Sequence, residues 1–167
     1  MNIIIRREKV TDVQAIHALT VAAFLEAPHT DHTEQFIVDA LRKSEMLTIS
    51  LVAEEAGQLV GHVAISPVSI SDGTENWYGL GPISVIPNKQ GKGIGSKLMH
   101  AAISGLKELK AGGCVLLGEP SYYHRFGFTP MAGLVLADVP AEYFQALILE
   151  GTKPQGSVTY HESFLNK

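Results

Sequence analysis

The chain opens with Asn2-Ile3-Ile4-Ile5-Arg6-Arg7, an apolar run closed by charge that reads as a short strand. After Thr11-Asp12, residues suited to an N-cap, apolar residues recur at Val13, Ile16, Leu19 and Ala23, the spacing of one helix face. Pro28 interrupts, and Asp31-His32-Thr33-Glu34 then has capping-box spacing ahead of Phe36, Ile37, Ala40 and Leu41, predicting a second helix that ends near Arg42-Lys43. From Leu47 the period changes. Leu47 to Glu54, Leu59 to Ile70 and Trp77 to Ile86 are strand-like runs joined at Ala56-Gly57 and Asp72-Gly73, an antiparallel meander. Gly95 to Lys110 returns to helical spacing, with Leu98, Ala102, Leu106 and Leu109 on one stripe, and Gly112-Gly113 separates it from a buried-type strand at Cys114-Val115-Leu116-Leu117. Strand, helix and strand in that order form a right-handed crossover, hence a parallel pair. Beyond it the pattern predicts a strand near Leu134 to Ala137, a short helix over Ala141 to Leu149 and a last strand around Ser157 to Tyr160. No repeat or linker divides the sequence, so residues 1–167 read as a single α+β domain on a mixed, mostly antiparallel sheet.

Composition narrows the function classes. The chain is 46% hydrophobic and 18% charged, which excludes a disordered polypeptide. Its longest apolar run, Met131 to Ala137, is far short of the ~20 residues that span a bilayer, and no positive region precedes the first apolar stretch; no membrane association is expected. Cys114 is the only cysteine, which rules out an intrachain disulfide and fits a reducing, cytoplasmic compartment. The seven histidines lack the carboxylate and cysteine context of a zinc site, so no metal is expected, and His62, inside a strand, reads as a packed or locally bonded residue. The net charge of -4 argues against a nucleic-acid partner. Divided along the chain, that charge is -6 over residues 1–88, -2 over 111–167 and +4 over 89–110, where five lysines stand against Glu108.

The basic island coincides with Pro87-Asn88-Lys89-Gln90-Gly91-Lys92-Gly93-Ile94-Gly95-Ser96-Lys97, which joins a strand to a helix and carries three glycines at alternate positions. Glycines let the backbone approach a ligand closely, and N–H groups at a helix start point at an anion with the positive end of the helix dipole behind them. The segment therefore reads as a phosphate cradle. It is not a Walker A loop, because Gly95 is followed by Ser96-Lys97 rather than directly by Lys, and the third glycine comes one position too early for a dinucleotide fingerprint.

Gln90-x-x-Gly93-x-Gly95, preceded by Ile83-Ser84-Val85-Ile86-Pro87, resembles the coenzyme A pyrophosphate motif of the GNAT superfamily of acyl-CoA-dependent N-acyltransferases. Tyr123-x-x-x-Gly127-Phe128 resembles that family's Tyr-x-x-x-Gly-Phe signature, and Gly118 to Phe128 is similar to a bacterial branch of predicted N-acetyltransferases. The order of elements also matches, nearly end to end. The resemblance implies a sheet whose fourth and fifth strands splay. It implies acetyl-CoA or CoA held by the N–H groups of Gly91, Lys92, Gly93, Ile94, Gly95 and Ser96, with Gln90 shaping the loop and Lys92 or Lys97 adding charge. Ile83, Ser84 and Val85 would then face the pantetheine arm, and Tyr123 would be the general acid. One departure stands out: Leu116 occupies the position where many members carry an asparagine.

Acyl transfer to an amine needs an anchored donor, a polarised carbonyl, a deprotonated amine and a proton for the departing thiolate. A tyrosine, with an ordinary pKa of ~10, is protonated at neutral pH and suits the last role. For the base, Glu119 ranks first, ahead of His124, Glu26, His29 and His32; a water chain serves equally. Leu80-Gly81-Pro82 predicts a bulge or an ordinary edge irregularity in the strand ahead of the loop. The expected activity is N-acetylation of a primary amine, on a small molecule or a peptide, by direct attack in a ternary complex. A non-catalytic acyl-CoA sensor on the same fold, a nucleotide-binding enzyme and a lysine-faced module for acidic partners are the alternatives, and exposed strand edges leave room for a homodimer.

Overall fold

The computed structural model describes residues 2–28 and 30–165. Its elements follow the order β1 (Ile3–Arg7), α1 (Val13–Phe24), α2 (Glu34–Lys43), β2 (Ile49–Glu55), β3 (Gln58–Ile70), β4 (Trp77–Val85), α3 (Ile94–Glu108), β5 (Gly113–Leu117), α4 (Pro120–Tyr123), β6 (Leu134–Val135), β7 (Phe144–Ile148) and β8 (Gly156–Tyr160). The main sheet runs β1-β2-β3-β4-β5-β7, antiparallel except for the parallel β4–β5 pair, while β8 pairs with β3 and β6. No helix among the described residues is long and apolar enough to cross a membrane.

Side-chain alternation in the strands sorts the helices onto two faces. Leu51 and Ala53 of β2, with Val63 and Ile65 of β3, meet Leu98, Met99, Ala102 and Leu106 of α3 in the largest core cluster. Val52, pointing the other way, packs with Ile16 of α1 and Val38 of α2. A further cluster around Trp77, Val115, Phe144 and Val158 seals the end where β4 meets β5, with Trp77 fully in the core.

The β4–β5 pairing is short. It runs from Trp77–Gly113 to Gly79–Val115 and then stops. Across β4 the register with β3 jumps from Val63–Ile83 to Ile65–Leu80, so Gly81 and Pro82 form the expected bulge, with Gly81 at φ +142°. The strands separate beyond this point, and the gap positions the site.

Two local expectations change. Residues 141–149 are not a helix: a single 3-10 turn at Ala141–Tyr143 leads into β7, which pairs antiparallel with β5 from Gly113–Ile148 to Leu117–Phe144. The free edge of β5 demands hydrogen-bond partners, and satisfying it outweighs the helical spacing of Tyr143, Ala146 and Leu147. The capping box before α2 does not form either. Thr33 is the N-cap and no side chain caps the helix; the Glu34 carboxylate instead accepts a bond from the Thr30 hydroxyl at 2.6 Å through Oε2.

Candidate active site

The glycine loop leaves β4 through a 3-10 turn at Pro87–Lys89, and Gln90 then folds back so that its Nε2 donates to the Val85 carbonyl at 2.9 Å. Gly91 and Gly93 take φ +76° and +86°, the left-handed conformation that favours glycine, and Gly93 caps α3. The first intrahelical bond here is Lys97 N–H to Gly93 C=O, which leaves the N–H groups of Ile94, Gly95 and Ser96 without helical partners at the positive end of a 15-residue helix. A Cβ added at Gly91 or Gly93 meets no protein atom within 4 Å; the space over the loop is open and lined by donors, as a pyrophosphate requires.

Strand β4 contributes its backbone. Ile86 N–H bonds to Val60 C=O, so by the alternation of an antiparallel ladder Val85 and Ile83 turn their N–H and C=O groups away from β3, into the gap that β5 has left. Ser84 is committed to the β3 side and pairs in register with His62, while its buried hydroxyl has no partner. These residues, the loop, Tyr122, Tyr123 and Arg125 line a cleft of about 400 Å³.

Its far wall is α4. Pro120 at the first turn starts this helix, and the Glu119 carbonyl accepts from the N–H groups of Tyr122 and Tyr123. Tyr123 lies half-buried against Tyr122, with ring centroids 4.9 Å apart. Burial, reinforced by Tyr122, pushes its phenol up to about 12, so it is protonated at neutral pH. Arg125 donates to the Tyr122 carbonyl at 2.9 Å and lies over the Tyr122 ring, 4.6 Å from its centroid.

A second cavity, about 730 Å³, opens on the α1/α2 side of the gap. Phe24, Glu34 and Ile37 form one wall, Leu116 and Leu117 another, and β8 with the segment behind it a third. Leu116, at the site of the missing asparagine, is buried in the core cluster against α3, and the exposed neighbour on the cavity is Leu117. Ile83 and Tyr123 line both cavities and so stand where the two meet.

The structure does not gather every residue expected from sequence. Glu119 is exposed, its side chain accepts a 3.4 Å bond from Ser121 Oγ and lines neither cavity, while its carbonyl accepts the first bonds of α4. Lys92 and Lys97 point to solvent, and the cations that line the smaller cleft are Lys89, paired with Glu55 at 2.6 Å, and Arg125. His29 lies outside the described residues. Cys114 is buried in β5, which raises its thiol far above the ordinary range and leaves it unsuited to nucleophilic work. Among the described residues no His, Cys, Asp and Glu cluster is disposed to hold a metal.

The acetyltransferase (GNAT) domain family matches residues 4–131. The chain belongs to the GNAT acetyltransferase family. This GNAT domain is accordingly an acyl-CoA-dependent N-acyltransferase by membership. It is 34% identical over 114 residues to the uncharacterized N-acetyltransferase YhbS of Escherichia coli strain K12, a match covering 68% of each chain. A Brucella melitensis GNAT family acetyltransferase, crystallised with acetyl-CoA, superposes with a TM-score of 0.87 at 45% identity over 98% of both chains. YhbS crystallised with CoA superposes at 0.90 with 32% identity, over 99% of this GNAT domain and 93% of YhbS.

Proposed function

We propose that this protein transfers an acetyl group from acetyl-CoA to a primary amine by direct attack in a ternary complex, with Tyr123 as proton donor. The observation that carries the reading is the sharing of Ile83 and Tyr123 by the two cavities. An acyl donor lying along β4 from the glycine loop brings its thioester to that junction, and an amine in the larger cavity approaches the same point from the other face. The N–H groups from Gly91 to Ser96 hold the pyrophosphate, Ile83 and Val85 bond the pantetheine arm, and the free Ile83 N–H is placed to polarise the carbonyl.

The amine arrives as an ammonium ion and loses one proton to water before attack. Its nitrogen forms a bond to the carbonyl carbon, the C–S bond breaks with its electron pair on sulfur, and the nitrogen gives up a second proton as the amide forms. Tyr123 supplies a proton to sulfur and is restored from that second proton; one proton is released overall. Burial keeps the Tyr123 phenol protonated at neutral pH, as a proton donor must be.

The test is amine-dependent release of CoA thiol. Tyr123→Phe keeps the ring and should lower the maximal rate by about 10²- to 10⁴-fold with little change in CoA affinity, whereas Tyr122→Phe should lose far less. A protein that binds acetyl-CoA and releases no thiol with any amine is a sensor, and the catalytic reading fails.

A further inference from the structure

Alternation along β5 sends Cys114 and Leu116 into the core against α3, and Val115 and Leu117 to the opposite face. Val115 is fully buried there among Trp77, Phe144 and Val158, yet Leu117, the next residue on the same face, is 47% exposed. What Leu117 borders is the larger cavity, and the apolar layer continues around it. Leu136 and Val139 pack against the same cluster and line the cavity, Val158 belongs to both, and Phe24 of α1 and Ile37 of α2 close the helix side. The cavity is the open end of an apolar core layer.

Asp31, Glu34, Asp138 and His161 add polar groups to the wall, but most of the described lining is apolar. The volume, about 730 Å³, is that of a small-molecule site. No residue of the glycine loop lines this cavity, and its mouth lies on the α1/α2 side, so a free molecule enters it without passing the acyl donor. Hydrocarbon placed against Leu117 and its neighbours removes water from both surfaces at once.

Resting on the acyl transfer proposed above, we infer that the acceptor is a small-molecule primary amine with an apolar body, an alkyl or aryl group of several carbons, and that Leu117 helps to select it. The nitrogen stands at the junction marked by Ile83 and Tyr123, and the carbon skeleton runs back over Leu117 into the space bordered by Leu136, Val139, Phe24 and Ile37. Selection comes from burial of hydrocarbon, so it acts on binding and not on the chemical step.

Amines of nearly equal basicity test this: propylamine, hexylamine and 5-amino-1-pentanol, the last matching hexylamine in length with a hydroxyl in place of the terminal methyl. With acetyl-CoA saturating, KM should fall by about twofold to fourfold per methylene from propylamine to hexylamine while kcat stays nearly constant. 5-Amino-1-pentanol should lose at least about tenfold in kcat/KM against hexylamine. Leu117→Asn should compress the hexylamine-to-propylamine ratio by about threefold or more, and Leu117→Met should keep it. Leu117 is half exposed, so both variants should fold, which the wild-type melting shift with CoA checks. Spermidine stands for a polar acceptor, and hexanoyl-CoA for a donor chain lodged in the same cavity. A flat series, an equal 5-amino-1-pentanol, a Leu117→Asn ratio unchanged from wild type, or a gain with hexanoyl-CoA in place of the gain with hexylamine overturns the inference and leaves acyl transfer standing. Thiol release with spermidine alone does the same. No release with any of these amines, from protein that binds acetyl-CoA, overturns both.

Discussion

A Cβ on Gly118 would fall inside the van der Waals envelope of Cε2 of Tyr123, so the Tyr123 ring lies directly on the backbone at the end of β5. The position of the phenol is therefore set by the absence of a side chain five residues earlier. Gly118→Ala should push the ring out of the junction between the cavities. Because displacement by about an ångström costs on the order of 10²-fold in rate, turnover should fall by that order while the CoA-induced melting shift persists. Amine-dependent thiol release beside a CoA melting curve checks it; a variant with normal turnover would show that the ring has room elsewhere.

Gly93 combines a positive φ with an open space over the loop. Gly93→Val should cost about 1–2 kcal/mol of stability from the left-handed backbone alone. It should also abolish the stabilisation by CoA, about 2.7 kcal/mol at a hundredfold excess over the dissociation constant. Gly73→Val is the control: its φ is +87° and no atom lies within 4 Å of its Cβ, but it sits in the β3–β4 turn, at the opposite end of β4 from the loop. It should lose similar stability and keep the CoA response. A full CoA shift in the Gly93 variant would remove the loop from the binding site.

Gln90 fastens the loop to β4 through the Val85 carbonyl. Gln90→Ala should weaken CoA binding by roughly five- to tenfold, the worth of about one hydrogen bond, and leave kcat at saturating acetyl-CoA near wild type. Isothermal titration with CoA and a steady-state KM for acetyl-CoA measure the two separately.

Acid sensitivity should centre on His62. Its Nε2 bonds Ser50 Oγ, Ser50 bonds Glu8, and Glu8 pairs with Arg42 at 2.8 Å, while Nδ1 is buried without a partner. Burial depresses the imidazole from 6.5 to about 4, with Glu8 opposing and Arg42 reinforcing the shift. The unfolded chain therefore takes up this proton first as pH falls. The stabilisation is complete above pH 6.5 and is lost towards pH 4, up to about 3 kcal/mol in all. Asp12 and Glu8 are held below the ordinary carboxylate range and act in the same sense only at lower pH; for Glu8 burial raises the pKa, but the bonds from Arg42 and Ser50 outweigh it. Urea denaturation at pH 7, 5.5 and 4.5 should show a marked decline in the wild type and a flatter one in His62→Gln. Equal declines would assign the sensitivity to other groups.

Local physics made much of this protein readable in its sequence. The glycine spacing, the meander and the crossover are each set by residues near one another in the chain, and Gly81-Pro82 announced the bulge because neither residue suits a regular ladder. What escaped depended on distant partners. The span 141–149 has helical spacing, and only the open edge of β5, some thirty residues earlier, makes it a strand. Glu34 was hidden by a pattern that offered it a local role: three residues after Asp31 it reads as half of a capping box, and only the assembled fold shows its carboxylate bonded to the Thr30 hydroxyl instead. Glu119 is close to Tyr123 in sequence, but a helix begins between them and leaves its side chain exposed, a placement that sequence distance does not show. Arg125 gave a weak signal, a cation within the aromatic run, whose meaning needed the cleft.

The short β4–β5 pairing has a kinetic consequence. On the proposed reaction, an acyl donor on the α3 face and an acceptor on the α1/α2 face would leave through separate mouths, so that neither product would wait for the other to clear its path. CoA should then compete with acetyl-CoA while inhibiting noncompetitively against the amine. The same opening that lets the two reactants touch frees their departures from any order imposed by crowding.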